Sequence, residues 1–313
     1  MNSEIMLSIV VITYNQEKYI TQALDSILFQ QTDYTYEVIV GDDASTDLTP
    51  QILKKYSIIY SDRINLYLRE KNMGGKGANN LYDLLLKCKG KYVITLEGDD
   101  FWIDNKKIQK QIDFLEKNLD FIGVAHRCVV VNENSELNGE TYPECHDDVY
   151  TFRHLASNIM PGQLTTLLYR NIYLADNYDY SILDKTLMPA DRLIYFVLLS
   201  YGKIYCMNEE MSAYRHVIEG GESYSSYVKW DYNRAKEWNE SLVCYSKIIN
   251  NKTSKKYADL MLMKTIIGSR KRCGNHWKDI VFDLWKEKFA FKRYIEYLKQ
   301  VYNRVVLHKS IWA

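Results

Sequence analysis

Glu97-Gly98-Asp99-Asp100 sets three carboxylates within four residues, directly after the apolar run Tyr92–Leu96. Carboxylates this close repel one another, so the arrangement makes sense chiefly when a cation shares it. Hard oxygen ligands suit Mg²⁺ or Mn²⁺, ions that typically bridge to phosphates. The plainer reading is a solvated turn that caps a helix starting near Asp104. A second acidic run is Asp42-Asp43-Ala44-Ser45-Thr46-Asp47. One of its carboxylates can accept the N3–H of a uracil, while Ser45, Thr46 or Asp47 caps the following helix. Asn72-Met73-Gly74-Gly75-Lys76-Gly77 is a glycine-rich loop opening a helix, a geometry that lets backbone approach a diphosphate. It lacks the Lys-Ser/Thr of a P-loop and the spacing of a dinucleotide fingerprint.

These groups need elements to hold them. Leu7–Thr13 is a continuous apolar run rich in β-branched residues, the pattern of a strand buried on both faces. Lys18–Gln31 follows with a helical apolar stripe. Further strands are expected at Tyr36–Val40, Ile64–Leu68 and Tyr92–Leu96, with helices at Thr49–Ser61 and Ala78–Cys88. Alternating strands and helices predict parallel pairing in a layered α/β sheet. In such sheets ligands bind beyond the carboxyl ends of the strands, where Tyr14-Asn15, Asp42-Asp43 and Glu97–Asp100 fall. A helix over Lys106–Lys117 and a strand over Ile122–Val131 come next, then a mixed stretch to about Met211 with a helix near Asp191–Tyr201. From Lys229 onward the periodicity is helical only, and the domain boundary is expected near residue 228, after the Gly/Ser-rich Glu219–Ser226.

The 313 residues carry 40 Lys+Arg against 40 Asp+Glu, which argues against a nucleic-acid binder. The balance is uneven along the chain. Residues 229–313 hold 19 basic and 8 acidic side chains, leaving residues 1–228 with a net −11. At 47% hydrophobic the chain is ordinary for a globular protein. Its six cysteines show no zinc spacing, its start shows no secretory apolar segment, and its longest apolar run, Leu193–Leu199, is too short to span a bilayer. The expected location is the cytoplasm.

SIVVITYN, GDDASTD, NMGGKGANN and LEGDDFW, in this order and spacing, resemble the nucleotide-sugar-binding half of family 2 glycosyltransferases of the GT-A fold. The resemblance is strong over about 7–130 and looser to about 226. It implies a GT-A catalytic domain over 1–228, with a nucleotide-sugar half at 1–130 and an acceptor half at 131–228. The central sheet should be mixed but mostly parallel, followed by an all-helical segment over 229–313. It also implies roles. Thr13, Tyr14 and Glu17 would line the nucleoside pocket, and Asp42 or Asp43 would read uracil. Asn72, Gly74 and Asn80 would lie beside the nucleotide. Glu97, Gly98 and Asp99 occupy the family's Asp-x-Asp position, with Asp99 and Asp100 the metal-side carboxylates; Glu97 departs from the first Asp. Asp191, opening a helix after Pro189, stands where the family has its catalytic base. The residue-level alternative is a charge favoured by the helix dipole. Arg215 or His216 would contact the diphosphate, ahead of a mobile acceptor-side loop at Glu219–Ser226. A surface salt bridge is the rival reading for Arg215.

The activity implied is inverting, metal-dependent, non-processive transfer from a UDP-sugar to a hydroxyl of a glycan, glycoprotein or lipid-linked acceptor. Competing readings are a catalytically silent sugar-nucleotide-binding or scaffold subunit and a sugar-phosphate nucleotidyltransferase. The latter needs a glycine- and basic-rich loop where this chain has Thr13-Tyr14-Asn15-Gln16. For the basic tail, Ile280–Leu307 carries an apolar stripe between lysines and arginines. Packing on the catalytic domain is the first reading; peripheral contact with the inner face of the membrane and oligomerisation are the others.

Overall fold

The computed structural model describes residues 4–142, 145–175, 178–180, 189–217, 231–273 and 277–305. The apolar run Leu7–Thr13 forms β1, with six of its seven residues buried. It is flanked in parallel by β2 (Tyr36–Asp42) and β4 (Tyr92–Glu97), and β3 (Ile64–Leu68) pairs outside β2. The links are α1 (Ile20–Leu28), α2 (Thr49–Ile59) and α3 (Ala78–Leu85). α1 buries Ile20, Ala23, Leu24 and Ile27, the stripe its periodicity predicts. The chain steps from β1 to β2 to β3 on one side, then returns to β4 on the other side of β1. Strand order therefore reverses between β1 and β4, and that reversal opens a crevice at their carboxyl ends.

Beyond β4 the sheet becomes mixed. β5 (Phe101–Trp102), β6 (Phe121–Val131), β7 (Val149–Tyr150), β8 (Leu168–Arg170) and β9 (Lys203–Arg215) complete it, with α4 (Lys107–Lys117) between β5 and β6. The order is β3-β2-β1-β4-β8-β6-β9-β5, with β7 on β9. β8 runs antiparallel to both β4 and β6, while β6 and β9 are parallel. β9, within the stretch to which the sequence assigns no strand, is the longest strand. Its pairing jumps from His126↔Met207 to Arg127↔Glu210, so Asn208 and Glu209 bulge out, exposed, and the alternation that marks a strand is broken.

The chain divides into two compact units. The first comprises Met1–Tyr150, Met160–Asp184 and Gly202–Ser226, and holds the sheet. The second comprises Thr151–Ile159, Lys185–Tyr201 and Tyr227–Ala313. The stretch 131–228, expected to be one acceptor half, is thus shared between them. The helical unit contains α5 (Phe152–Ala156), α6 (Ala190–Leu199), α7 (Tyr232–Ile249), α8 (Lys252–Cys273), α9 (Trp277–Lys286) and α10 (Phe291–Val305). Phe152 sets an edge on Phe196 and stacks on Tyr257, joining α5 to α6 and α8. Asn250, left-handed, ends α7, and the Asn251 side chain accepts from the Thr253 and Ser254 amides to start α8. The stretch 280–307 is broken into α9 and α10 at Lys288, which has φ 49°; Leu307 and the loop Glu219–Ser226 lie outside the described residues.

Candidate active site

Strand register brings three strand ends level. Thr13 lies beside Asp42, and Ile12 beside Glu97. The loops above β1 and β2 then interlock. Asn15 takes a left-handed conformation (φ 54°), donates its backbone N–H to Ser45 Oγ, and accepts the Thr46 amide on Oδ1 at 2.8 Å. Glu17 Oε2 accepts the Leu48 amide at 2.8 Å, and Asp47 Oδ2 accepts the Glu17 amide at 3.0 Å. Glu17 is therefore tied to the start of α2. Tyr14, 48% exposed, projects from the same loop with its ring open to solvent.

The two aspartates after β2 are not equivalent. Both oxygens of Asp42 accept from Ser45, one from its amide and one from its hydroxyl. Burial pushes its carboxyl up, against those hydrogen bonds. Asp43 Oδ1 accepts the Met73 amide at 2.7 Å, and its carbonyl accepts from Asn72 Nδ2. Its Oδ2 accepts no hydrogen bond from the described residues. Asp43 is thus the carboxylate that both fixes the glycine-rich loop and keeps an oxygen for a ligand. In that loop Asn72 Oδ1 accepts the Gly74 amide, and Gly74, Gly75 and Gly77 all have positive φ, which only glycine adopts cheaply. Asn80 is buried, donates Nδ2 to Gly41 O at 2.8 Å and accepts Arg69 Nε on Oδ1 at 3.1 Å, so it clamps α3 to β2.

The Glu97, Asp99 and Asp100 carboxylates lie together, each offering an oxygen within 4.8 Å of the others. Gly98 is needed at the turn: a Cβ there would lie 3.0 Å from Thr13 Cβ and Oγ1 and closer still to Gln16 Oε1. Gln163, 66 positions away, donates Nε2 to Glu97 Oε2 at 3.4 Å. Asp100 is fully buried, and Oδ1 accepts the Arg215 backbone amide at 2.8 Å. Burial, then the charges of Asp99 and Glu97, push its carboxyl well above the usual carboxylate range. Its Oδ2 is buried with no hydrogen-bond partner among the described residues, as are Thr13 Oγ1 and Gln16 Oε1. An orphaned buried carboxylate oxygen within an acidic cluster fits a divalent cation: positive charge there offsets both the desolvation and the repulsion.

Arg215 is built into the base of the acidic turn. Its five guanidinium N–H groups are all used: Nε on Asp99 O, Nη1 on Asn132 O and Glu133 O, Nη2 on Gln22 Oε1 and Ser135 Oγ. The group also stacks over Tyr19, 4.3 Å from the ring centroid. Through these bonds Arg215 ties the Asp99 carbonyl to Gln22 and to the Asn132–Ser135 turn. His216 pairs through Nδ1 with Glu140 Oε2 at 2.5 Å and stacks on Tyr214. Asp191 belongs to the helical unit, in the first turn of α6, where Oδ1 accepts the Arg192 amide at 2.7 Å. Burial raises its carboxyl, while the Arg192 charge and amide oppose the rise. Gln22 and Gln163 hold the crevice in ways that no motif reveals, Gln22 through Arg215 and Ser135 and Gln163 through Glu97, contacts 66 or more positions away.

The glycosyl transferase family 2 model matches residues 8–171. An uncharacterised protein of Mycobacterium tuberculosis is 33% identical over 215 residues, 68% of this chain and 60% of that protein. The poly(ribitol-phosphate) beta-N-acetylglucosaminyltransferase TarS of Staphylococcus aureus is 29% identical over 229 residues, 71% of this chain and 37% of TarS. The UDP-Glc:alpha-D-GlcNAc-diphosphoundecaprenol beta-1,3-glucosyltransferase WfgD of Escherichia coli is 31% identical over 168 residues, 53% of this chain and 61% of WfgD. The match thus spans under two thirds of each of these relatives. A crystal structure of TarS 1–349 with UDP-GlcNAc superposes with a TM-score of 0.59 at 20% identity, covering 83% of this chain and 71% of that one. That likeness is one of fold, the mixed α/β architecture of GT-A glycosyltransferases. With four sequence motifs converging on one crevice and the family model covering more than half of its length, this chain belongs to glycosyl transferase family 2.

Proposed function

We propose that the chain transfers a sugar from a UDP-sugar to a hydroxyl acceptor, with inversion and with Mn²⁺ or Mg²⁺, in the synthesis of a surface polysaccharide or glycoprotein glycan. The observation that carries this reading is the buried, unpartnered Asp100 Oδ2 beside Glu97 and Asp99 at the β1/β4 crevice. TarS binds UDP-GlcNAc in its crystal structure, and TarS and WfgD are both named for forming beta linkages, which supports a UDP-sugar donor and transfer to a glycan hydroxyl.

In this reading Asp43 Oδ2 accepts the uracil N3–H, and the exposed Tyr14 ring stacks beside the base. The backbone of Asn72–Gly77 faces the diphosphate. Glu97, Asp99 and Asp100 would hold the divalent cation, which would supply positive charge against the departing nucleoside diphosphate. Arg215 and Gln163 keep that acidic turn in place. Asp191 accepts the proton of the acceptor hydroxyl as its oxygen attacks the anomeric carbon. No helix of the described residues is long and apolar enough to cross a membrane, and the acceptor would be met at the cytoplasmic face.

A screen of UDP- and dTDP-sugars for metal-dependent release of nucleoside diphosphate tests the reading. One UDP-sugar should be hydrolysed with Mn²⁺ or Mg²⁺, and Asp99→Ala should lose both hydrolysis and metal-dependent UDP binding. Binding of UDP that is indifferent to metal and to Asp99→Ala would overturn the cation site. Tight binding with no turnover on any donor or acceptor would favour a silent sugar-nucleotide-binding subunit.

A further inference from the structure

α9 and α10 expose their large apolar side chains. On α9 these are Val281, Phe282 and Trp285, with Trp285 72% exposed. On α10 they are Phe291, Ile295, Leu298 and Tyr302, at the i, i+4, i+7, i+11 spacing of one helix face. Both helices pack on α8. Apolar surface of this extent in contact with water marks a binding face.

The charges around these stripes are sorted by sign. The acidic residues of α9 and α10 largely turn inward. Asp283 and Glu287 pair with Lys236 of α7, and Glu296 pairs with Arg293, which also holds Asp259 of α8 at 2.9 Å. Lys278, Lys286, Lys288, Lys292 and Lys299 remain exposed, with Asp279 the exposed acidic residue among them. The exposed face therefore combines Phe, Trp and Leu with a lysine rim, and its own carboxylates neutralise little of it.

We infer that α9 and α10 form a docking face for an anionic lipid surface. Aromatic and leucine side chains enter the boundary between headgroups and acyl chains, and the lysines meet the headgroup phosphates. A protein partner or a second copy of this chain would bury the same apolar stripe, but a second copy would bring a second lysine rim against the first, and like charges oppose that pairing. An anionic bilayer is complementary to both features at once.

Co-sedimentation of the full chain with vesicles tests this independently of any catalytic activity. Binding is expected to phosphatidylcholine vesicles containing phosphatidylglycerol, to weaken with salt, and to vanish on pure phosphatidylcholine. Trp285→Ser with Leu298→Ser should weaken it at least tenfold, and each of Lys286→Gln and Lys292→Gln by about fivefold. These side chains are exposed, so circular dichroism of the variants should match wild type. A Trp emission blue shift on vesicles should be smaller in Trp285→Ser. Failure to bind anionic vesicles, or variants that bind like wild type, overturns the inference. So does a concentration-dependent dimer that Trp285→Ser dissolves while vesicle binding is absent.

Discussion

Arg215 and Asp191 show how a charged side chain can serve different ends. Arg215 sits inside the first unit with every N–H committed, and its backbone amide holds Asp100 while its Nε holds the Asp99 carbonyl. Lysine offers a compact ammonium with no planar fork, so Arg215→Lys leaves several carbonyls and Gln22 unpaired. The expected loss is roughly 3–5 kcal/mol of stability, read by urea unfolding, together with weaker metal-dependent UDP binding. Unchanged stability would contradict the positioning role. Asp191 is the converse, a carboxylate whose one described partner is the adjacent Arg192 amide. In the proposed role of base it must be ionised, and burial raises its carboxyl. Activity should therefore be lost as pH falls through that raised value, placing the acid limb of kcat/KM above that of an ordinary aspartate. Asp191→Asn should lower transfer by about 10²–10⁴-fold, keep UDP binding and remove that limb. Transfer near the wild-type rate would remove Asp191 from the mechanism.

At the level of elements, the crevice is made by close approach. β1 and β4 run in register, and the turn after β4 folds back over Thr13 and Gln16 where Gly98 leaves no room for a Cβ. Gly98→Ala should push that turn outward at a cost of about 1–3 kcal/mol and weaken metal-dependent UDP binding, measured by calorimetric titration. Wild-type affinity in that variant would show that the turn tolerates displacement. The strands and helices of the first half were legible because each carries a long, unbroken apolar pattern: Leu7–Thr13 is an example, and so is the stripe of α1. β9 was not, since the bulge at Asn208–Glu209 puts polar residues where alternation would require buried ones. The same limit applies to the break at Lys288, where local backbone conformation divides a continuous apolar stripe into α9 and α10.

For the whole molecule, the net −11 of residues 1–228 and +11 of residues 229–313 can be assigned to chemistry and surface. The acidic part carries the crevice, which should hold an anionic nucleoside diphosphate only with a cation present. UDP with Mn²⁺ at about 100 times its Kd should stabilise the protein by roughly 2.7 kcal/mol, seen as a rise in Tm that excess EDTA abolishes. A shift that survives EDTA would mean that the diphosphate is held without metal. Sequence by itself determined the family, the α/β class and the four motifs, since motif identity and hydrophobic period are local properties of the chain. The tertiary structure alone decided which partners each motif residue holds. Asp42 is closed by Ser45 while Asp43 keeps an oxygen, Asn80 clamps β2 to α3, and Arg215 holds the acidic turn. A side chain's role depends on which hydrogen bonds remain unused after folding, and those partners come from 11 to 193 positions away for Asp43, Asn80 and Arg215.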